Sequence, residues 1–136
     1  MIVFVDSIDD VSEADLQGFF AGWPNPPSPS THLRLLNGSD HVVLAREQAG
    51  RVVGFITATT DGVLSAYIPL LEVLPEYQGQ GIGRELAARM LKTLDEFYMV
   101  DLLCDPDIQP FYEKLGMKLA HGMCIRNYGQ QSGRKS

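Results

Sequence analysis

Leu70-Leu71-Glu72-Val73-Leu74-Pro75-Glu76-Tyr77-Gln78-Gly79-Gln80-Gly81-Ile82-Gly83-Arg84 passes from an apolar run through a glycine-rich loop into a helix. Gly79, Gly81 and Gly83 remove every β-carbon where the chain turns, so successive N–H groups can converge on an anion at the positive end of the helix. The spacing implies a phosphate or pyrophosphate site; a tight turn that binds nothing is the other reading it permits. A Walker loop needs Gly-Lys and then Ser or Thr, and neither Gly81 nor Gly83 is followed that way. The dinucleotide fingerprint needs glycines at offsets zero, two and five, and counting from Gly79 or Gly81 reaches Arg84 or Leu86 instead.

Downstream of the loop, Ile82, Leu86, Met90 and Leu94 step by four, and Ala87, Leu91 and Phe97 widen the stripe, which predicts a helix over 81–98. Met99 to Cys104 predicts a buried strand. Asp107 to Leu115 predicts a helix capped by Asp107 and stopped at Gly116. Met117 to Ala120 and Met123 to Tyr128 read as a final strand or hairpin around His121-Gly122. The last segment, Gln130 to Ser136, has no apolar anchor and is expected to be a mobile tail behind one domain spanning 1–129.

Upstream, His41 to Glu47 and Arg51 to Thr59 are β-branched runs joined by Gln48-Ala49-Gly50, a hairpin. Ser65 to Leu74 follows the turn signal Asp61-Gly62 as a third antiparallel strand. Near the start, Ile2 to Val5 reads as a strand, and Ser12 with Asp15 as a capping box opening a helix through Leu16, Phe19 and Phe20 that ends by Trp23. Half of the 8 prolines fall between Pro24 and Pro29, a stiff loop. Thr31 to Leu36 then predicts a short helix closed at Asn37-Gly38 by a left-handed cap.

Composition narrows the function classes. A chain of 136 residues with 45% hydrophobic content is one ordinary globular domain with room for a core. Its 11 Lys and Arg against 17 Asp and Glu leave a net charge of −6. A nucleic-acid partner would need a basic face, so none is expected, and cationic small partners are mildly favoured. Two cysteines, Cys104 and Cys124, are too few for a disulfide framework, which points to a reducing cytoplasm. No apolar run approaches a membrane span, and the start lacks the basic region of a secretory signal. His32, His41 and His121 are scattered without ligand spacing, so no metal site is expected.

Two blocks together carry a family resemblance. Gln78-Gly79-Gln80-Gly81-Ile82-Gly83, preceded by Val73-Leu74-Pro75-Glu76-Tyr77, resembles the acyl-coenzyme A signature of the GNAT superfamily of N-acetyltransferases, and Pro110-Phe111-Tyr112-Glu113-Lys114-Leu115-Gly116-Met117 resembles its aromatic-rich C-terminal helix. The order and separation match, and the resemblance covers nearly the whole chain. It implies an α+β fold: one central mixed, mostly antiparallel sheet, splayed between the fourth and fifth strands, with helices on both faces. It also implies acetyl-CoA as cofactor and a primary amine of a small molecule or peptide as acceptor, attacked directly. A homodimer paired through a C-terminal strand edge is compatible with it.

By the same resemblance, backbone N–H groups of Gln78, Gly79, Gln80, Gly81, Ile82 and Gly83, with Arg84 beside them, hold the pyrophosphate. The main chain of Leu71 and Val73 pairs with the pantetheine arm, and Asp105 and Phe111 complete the cofactor contacts. Asp105 stands where many members carry an asparagine; an ionised carboxylate cannot donate a hydrogen bond but can attract an ammonium. Tyr112 matches the usual general acid, unless it is only half of an aromatic pair with Phe111. Glu72, the one acid in an apolar strand, is a partly buried base or a solvated rim carboxylate, with ordered water as the substitute base. Trp23 and Tyr67 are candidate acceptor walls, and Trp23 reads equally as core. Cys104 is discounted as an acyl carrier because no histidine is near in sequence. Two other classes fit the same loop: a non-catalytic acyl-CoA-binding module and a domain holding a different phosphate ligand.

Overall fold

The computed structural model describes residues 1–135. Its sheet holds five strands in the order β1 (Ile2–Val5), β2 (His41–Glu47), β3 (Val52–Thr60), β4 (Ser65–Val73) and β5 (Met99–Asp101). The first four pair antiparallel in sequence, and β5 joins β4 in parallel. A parallel neighbour needs a crossover, here the helix α2 (Ile82–Thr93). Helix α1 (Pro29–Gly38) precedes β2, and the short α3 (Gln109–Glu113) follows β5.

Alternation along β3 distributes the helices to the two faces. A β-carbon on Gly54 would lie 3.0 Å from Leu86 Cδ1 and 3.3 Å from Ile82 Cγ2, so the bare backbone there is what lets α2 approach. Phe55, the next residue, points to the other face. There its ring meets Phe19 at 5.2 Å and His32 of α1 at 4.4 Å. Among the described residues no helix is long and apolar enough to cross a membrane.

The register of β3 with β4 steps from Thr57↔Leu70 to Thr59↔Tyr67. Ala58 therefore faces two residues, Ile68 and Pro69, which form a bulge on β4. Proline has no N–H to give a ladder, and a bulge is one of the few places a sheet tolerates it. Strand β5 pairs only with Ser65, Ala66 and Tyr67, below the bulge. Above it, β4 has a neighbour on one side alone.

Several elements differ from the sequence expectations. The helix expected from Ser12 to Trp23 is only a 3-10 turn at Glu13–Leu16. The Ser12 N–H does donate to the Asp15 carboxylate at 3.1 Å, but Gly18, Phe20 and Gly22 adopt positive φ and end helical propagation. Helix α1 begins at Pro29, capped by the Ser28 hydroxyl, and runs through Gly38 with Ser39 as C-cap, so no left-handed residue closes it. Helix α2 stops at Thr93, five residues early, where Leu94 to Phe97 tighten into three-residue turns that bring the chain back to the sheet. Strand β5 ends at Asp101 and is exposed, not buried, because it is the sheet's edge. Helix α3 is capped at Ile108 with Pro110 in its second position, so Asp107 is not the cap.

The expected strands between Met117 and Tyr128 are absent. Residues from Lys118 to Gln130 are all exposed, Met123 at 97% and Ile125 at 85%. A strand needs a partner for its amides, and among the described residues no element lies in ladder with this arm. Beyond it the chain returns to α1: Gln131 Oε1 accepts from the Asn25 N–H at 2.8 Å, Arg34 donates to the Arg134 carbonyl, and Gly133 lies against Thr31. Ser136, the last residue of the expected tail, lies outside the described residues.

Candidate functional site

Antiparallel strands alternate between residues that bond their partner and residues whose amides point away. Leu74 N–H donates to Val53 O at 2.8 Å. By alternation Glu72 and Leu70 also bond β3, and the N–H and C=O groups of Leu71 and Val73 face the side where β5 has ended. Opposite them run Leu102, Leu103, Cys104 and Asp105, and the gap is a cleft of about 680 Å³. Sequence alone placed Leu71 and Val73 at this edge without a reason for the gap. Pro69, a proline inside an apolar strand, was the available signal.

Glu72, Gln78, Asp105 and Tyr112 also line the cleft. Glu72 sits opposite Phe55 in register and its Oε1 accepts the Phe20 N–H at 2.6 Å. Phe20 is the one non-glycine residue among those described with positive φ, at 62°, so this bond secures a costly backbone conformation. Burial pushes the Glu72 carboxyl above its usual range, opposed by the amides of Phe20 and Ala21. Of the two sequence readings, partial burial is the one observed.

Tyr112 is buried at 9% exposure, with its ring edge-on to Phe111 at 4.9 Å. Burial, with a smaller effect from Cys104, pushes its phenol up to about 12. Cys104 itself is raised by burial and by Asp105 and Asp107, so its thiol stays protonated at neutral pH. That favours a bystander over a nucleophile.

The glycine loop adjoins the cleft through Gln78, the one residue of Gln78 to Arg84 that lines it. Gly79 and Gly81 have φ of +78° and +83°, with open space where side chains would project. Gly81 is the N-cap of α2 and offers no capping side chain. The first intrahelical bond is Glu85 N–H to Gly81 O, which leaves the amides of Ile82, Gly83 and Arg84 for a ligand. The fit to a diphosphate is therefore good, with two limits. The Gln78 N–H is already given to Pro75 O, and the Ile82 side chain is core. Gln78 Nε2 donates to Val73 O at 3.0 Å, tying loop to strand edge. Phe111 Cζ lies 4.0 Å from where a Gly83 β-carbon would be. Gln80 and Arg84 are exposed.

Trp23 lines the cleft and packs against Phe20, ring centroids 4.9 Å apart and planes tilted by 56°. Tyr67 does not reach it; it lies on the paired stretch of β4. Sequence reasoning missed Met123, Cys124 and Arg126, which the unpaired arm brings to the far wall. It also missed His32, a scattered histidine that proves 1% exposed among Phe19, Phe20 and Phe55, with neither ring nitrogen bonded.

Comparison with known proteins agrees with this geometry. The family model described as "Acetyltransferase (GNAT) family" matches residues 8–117. An uncharacterized N-acetyltransferase, ycf52, of Porphyra purpurea is 31% identical over 70% of this chain and 57% of its own length. A histone acetyltransferase of Glycine max, TAP1, is 30% identical over 85% of this chain and 56% of its own. The chain thus spans a little over half the length of these curated relatives. The crystal structure of a Deinococcus radiodurans R1 protein classed as an acetyltransferase superposes with a TM-score of 0.96 at 48% identity, covering 99% of this chain and 94% of that one.

Proposed function

This chain belongs to the GNAT acetyltransferase family, and from that premise we propose that it moves an acetyl group from acetyl-CoA to a primary amine of a small molecule or peptide. The observation that carries the reading is the one-sided edge of β4. The Leu71 N–H and C=O and the Val73 N–H on that edge suit a peptide-like arm that adds as a strand, and at the Val73 carbonyl the arm would replace the Gln78 side chain. The open amides of Ile82, Gly83 and Arg84, beside the cleft-lining Gln78, suit a diphosphate.

Bound acetyl-CoA would supply an activated thioester, its arm held by the strand edge at Leu71 and Val73 and its diphosphate by the amides of Ile82, Gly83 and Arg84. The chain's own residues do the rest. Glu72, half-buried with a raised carboxyl pKa, takes a proton from the ammonium of the acceptor, directly or through a water, so that a neutral amine is presented. Tyr112 Oη holds its proton throughout the neutral range and is the donor a departing thiolate needs. Asp105, exposed at the rim, attracts the ammonium on approach. The unpaired Cys104 and Cys124 suit a reducing compartment such as the cytoplasm.

Calorimetry with acetyl-CoA, followed by thiol release with a panel of amines, tests the proposal. Tyr112→Phe should leave acetyl-CoA affinity unchanged and lower kcat by about 100-fold or more. Unchanged turnover would remove Tyr112 as the acid. Tight binding without thiol release for any amine would favour the non-catalytic binding module.

The exposed arm also supports a homodimer. An extended segment with Leu119, Met123, Ile125 and Tyr128 open to solvent and no ladder within the chain suits exchange with a second copy. Light scattering should give twice the chain mass, and Ile125→Lys should shift it toward the monomer.

A further inference from the structure

Beside the cleft lies a second cavity of about 520 Å³, with Trp23 and Leu70 lining both. Its character is opposite to that of the chain as a whole. The molecule carries a net charge of −6, yet among the described residues this cavity is lined by Arg34, Arg134 and Lys135 and by no acid. Among the described residues none of these three cations lies within ion-pair distance of a carboxylate. Arg34 gives one N–H to the Arg134 carbonyl, which holds residues 131–135 against α1, so that all three cations line one cavity. Phe20, whose amide bonds Glu72 in the first cavity, lines this one. The two cavities are thus two sides of one Trp23–Leu70 wall, with a carboxylate on one side and cations on the other.

We propose that this second cavity is an anion subsite, and that the acceptor is a small primary amine carrying a carboxylate or phosphate at its far end. The inference rests on the acetyl-transfer reading for the amine end only. With the amine at Glu72, the body of the acceptor crosses Trp23 and Leu70, and the anion meets Arg34, Arg134 and Lys135. Guanidinium forks suit either anion, as bidentate partners. The cations also keep acidic groups of the chain from being the only field an acceptor meets.

Matched acceptor pairs test it. In thiol-release assays, ω-amino carboxylates of three to six methylenes are set against alkylamines of equal length, and glucosamine 6-phosphate against glucosamine. We expect kcat/KM to favour the anionic member of at least one pair by about tenfold or more, one charge-assisted contact's worth. Which pair responds distinguishes carboxylate from phosphate. Arg34→Ala and the double variant Arg134→Ala/Lys135→Ala should bring the ratio near one and leave the KM for acetyl-CoA unchanged. Equal or better use of the neutral amines overturns the proposal, as does a ratio the variants do not move. A rise in acetyl-CoA KM in the variants would instead assign the cations to the cofactor and overturn it as well.

If no acceptor turns over, Trp23 fluorescence decides, because it is the sole tryptophan and lines both cavities. Saturable quenching by an anionic member, absent with its neutral match and lost in the variants, upholds the subsite while the acetyl-transfer reading fails. Equal response to both members of every pair sinks the subsite.

Discussion

The two halves of β4 have the same backbone and different fates. From Ser65 to Tyr67 the strand is bonded on both sides, to β3 and to β5. From Leu70 to Val73 it is bonded to β3 alone. The first half contributes to stability and offers a ligand nothing. The second turns amides and carbonyls toward a cleft, where, apart from the Val73 carbonyl that Gln78 bonds, each can gain a partner only by recruiting one. Binding capacity in this fold lies where the sheet stops satisfying itself.

The largest expected effect is at the loop that shares the open half. Gly81→Asp forces a side chain into φ +83° and sets a carboxylate at the bare N-terminus of α2, where the proposed diphosphate lies. Acetyl-CoA affinity should fall by at least about 100-fold through strain and like-charge repulsion. Retained affinity in calorimetry would detach the loop from the cleft.

A pair of neighbouring prolines tests the edge itself. Leu71→Pro removes an N–H that faces the cleft, so acetyl-CoA affinity should drop about tenfold with little loss of thermal stability beyond the lost leucine. Leu70→Pro removes an N–H that by alternation bonds β3, and should cost about 1–3 kcal/mol more in denaturant unfolding. If the two variants behave alike, the division of β4 into bonded and open amides is wrong.

His32 provides a contrast from the face packed against α1, where burial and not a ligand is at stake. It holds its neutral form down to about pH 4, whereas in an unfolded chain it charges near pH 6.5. A depressed folded pKa contributes stability above the unfolded value and loses it as pH falls, so the loss runs from about pH 6.5 to about pH 4. On the order of 2 kcal/mol should drain over that window. His32→Phe should remove this part of the slope in urea midpoints at pH 7 and pH 5, with acetyl-CoA affinity at pH 7 unchanged. The smallest effect is expected from Pro69→Val, which restores a donor at the bulge. A severalfold weaker affinity for acetyl-CoA, with added hydrogen-exchange protection near Leu102, would sharpen the comparison; no change in either would blunt it.

Much of this organisation is legible in the residues. The period-four run Ile82, Leu86, Met90 and Leu94 located α2, β-branched runs located β2 and β3, and Leu71, Glu72, Val73, Gln78, Asp105 and Tyr112 fall together on one cleft. What escaped has physical causes. The helix expected after Ser12 has a proper cap, but its glycines and Phe20 answer to tertiary contacts, chiefly the Glu72 carboxylate fifty-two residues away. The arm from Met117 alternates as a strand should, yet a strand exists only with a partner, and no local pattern says where that partner is. The cations of the second cavity come from α1 and the chain's end, and they meet only because the end folds back.

Pro69 has a last consequence, for timing. A slot that depended on breaking hydrogen bonds would have to be pried open at every catalytic cycle and would tend to heal between them. A ring nitrogen without a hydrogen cannot take part in such healing, whatever β5 does by thermal motion. The open edge is therefore pre-organised apart from the Gln78 contact at Val73, and a thioester arm docking there as proposed would spend none of its binding energy on unzipping β5 from β4.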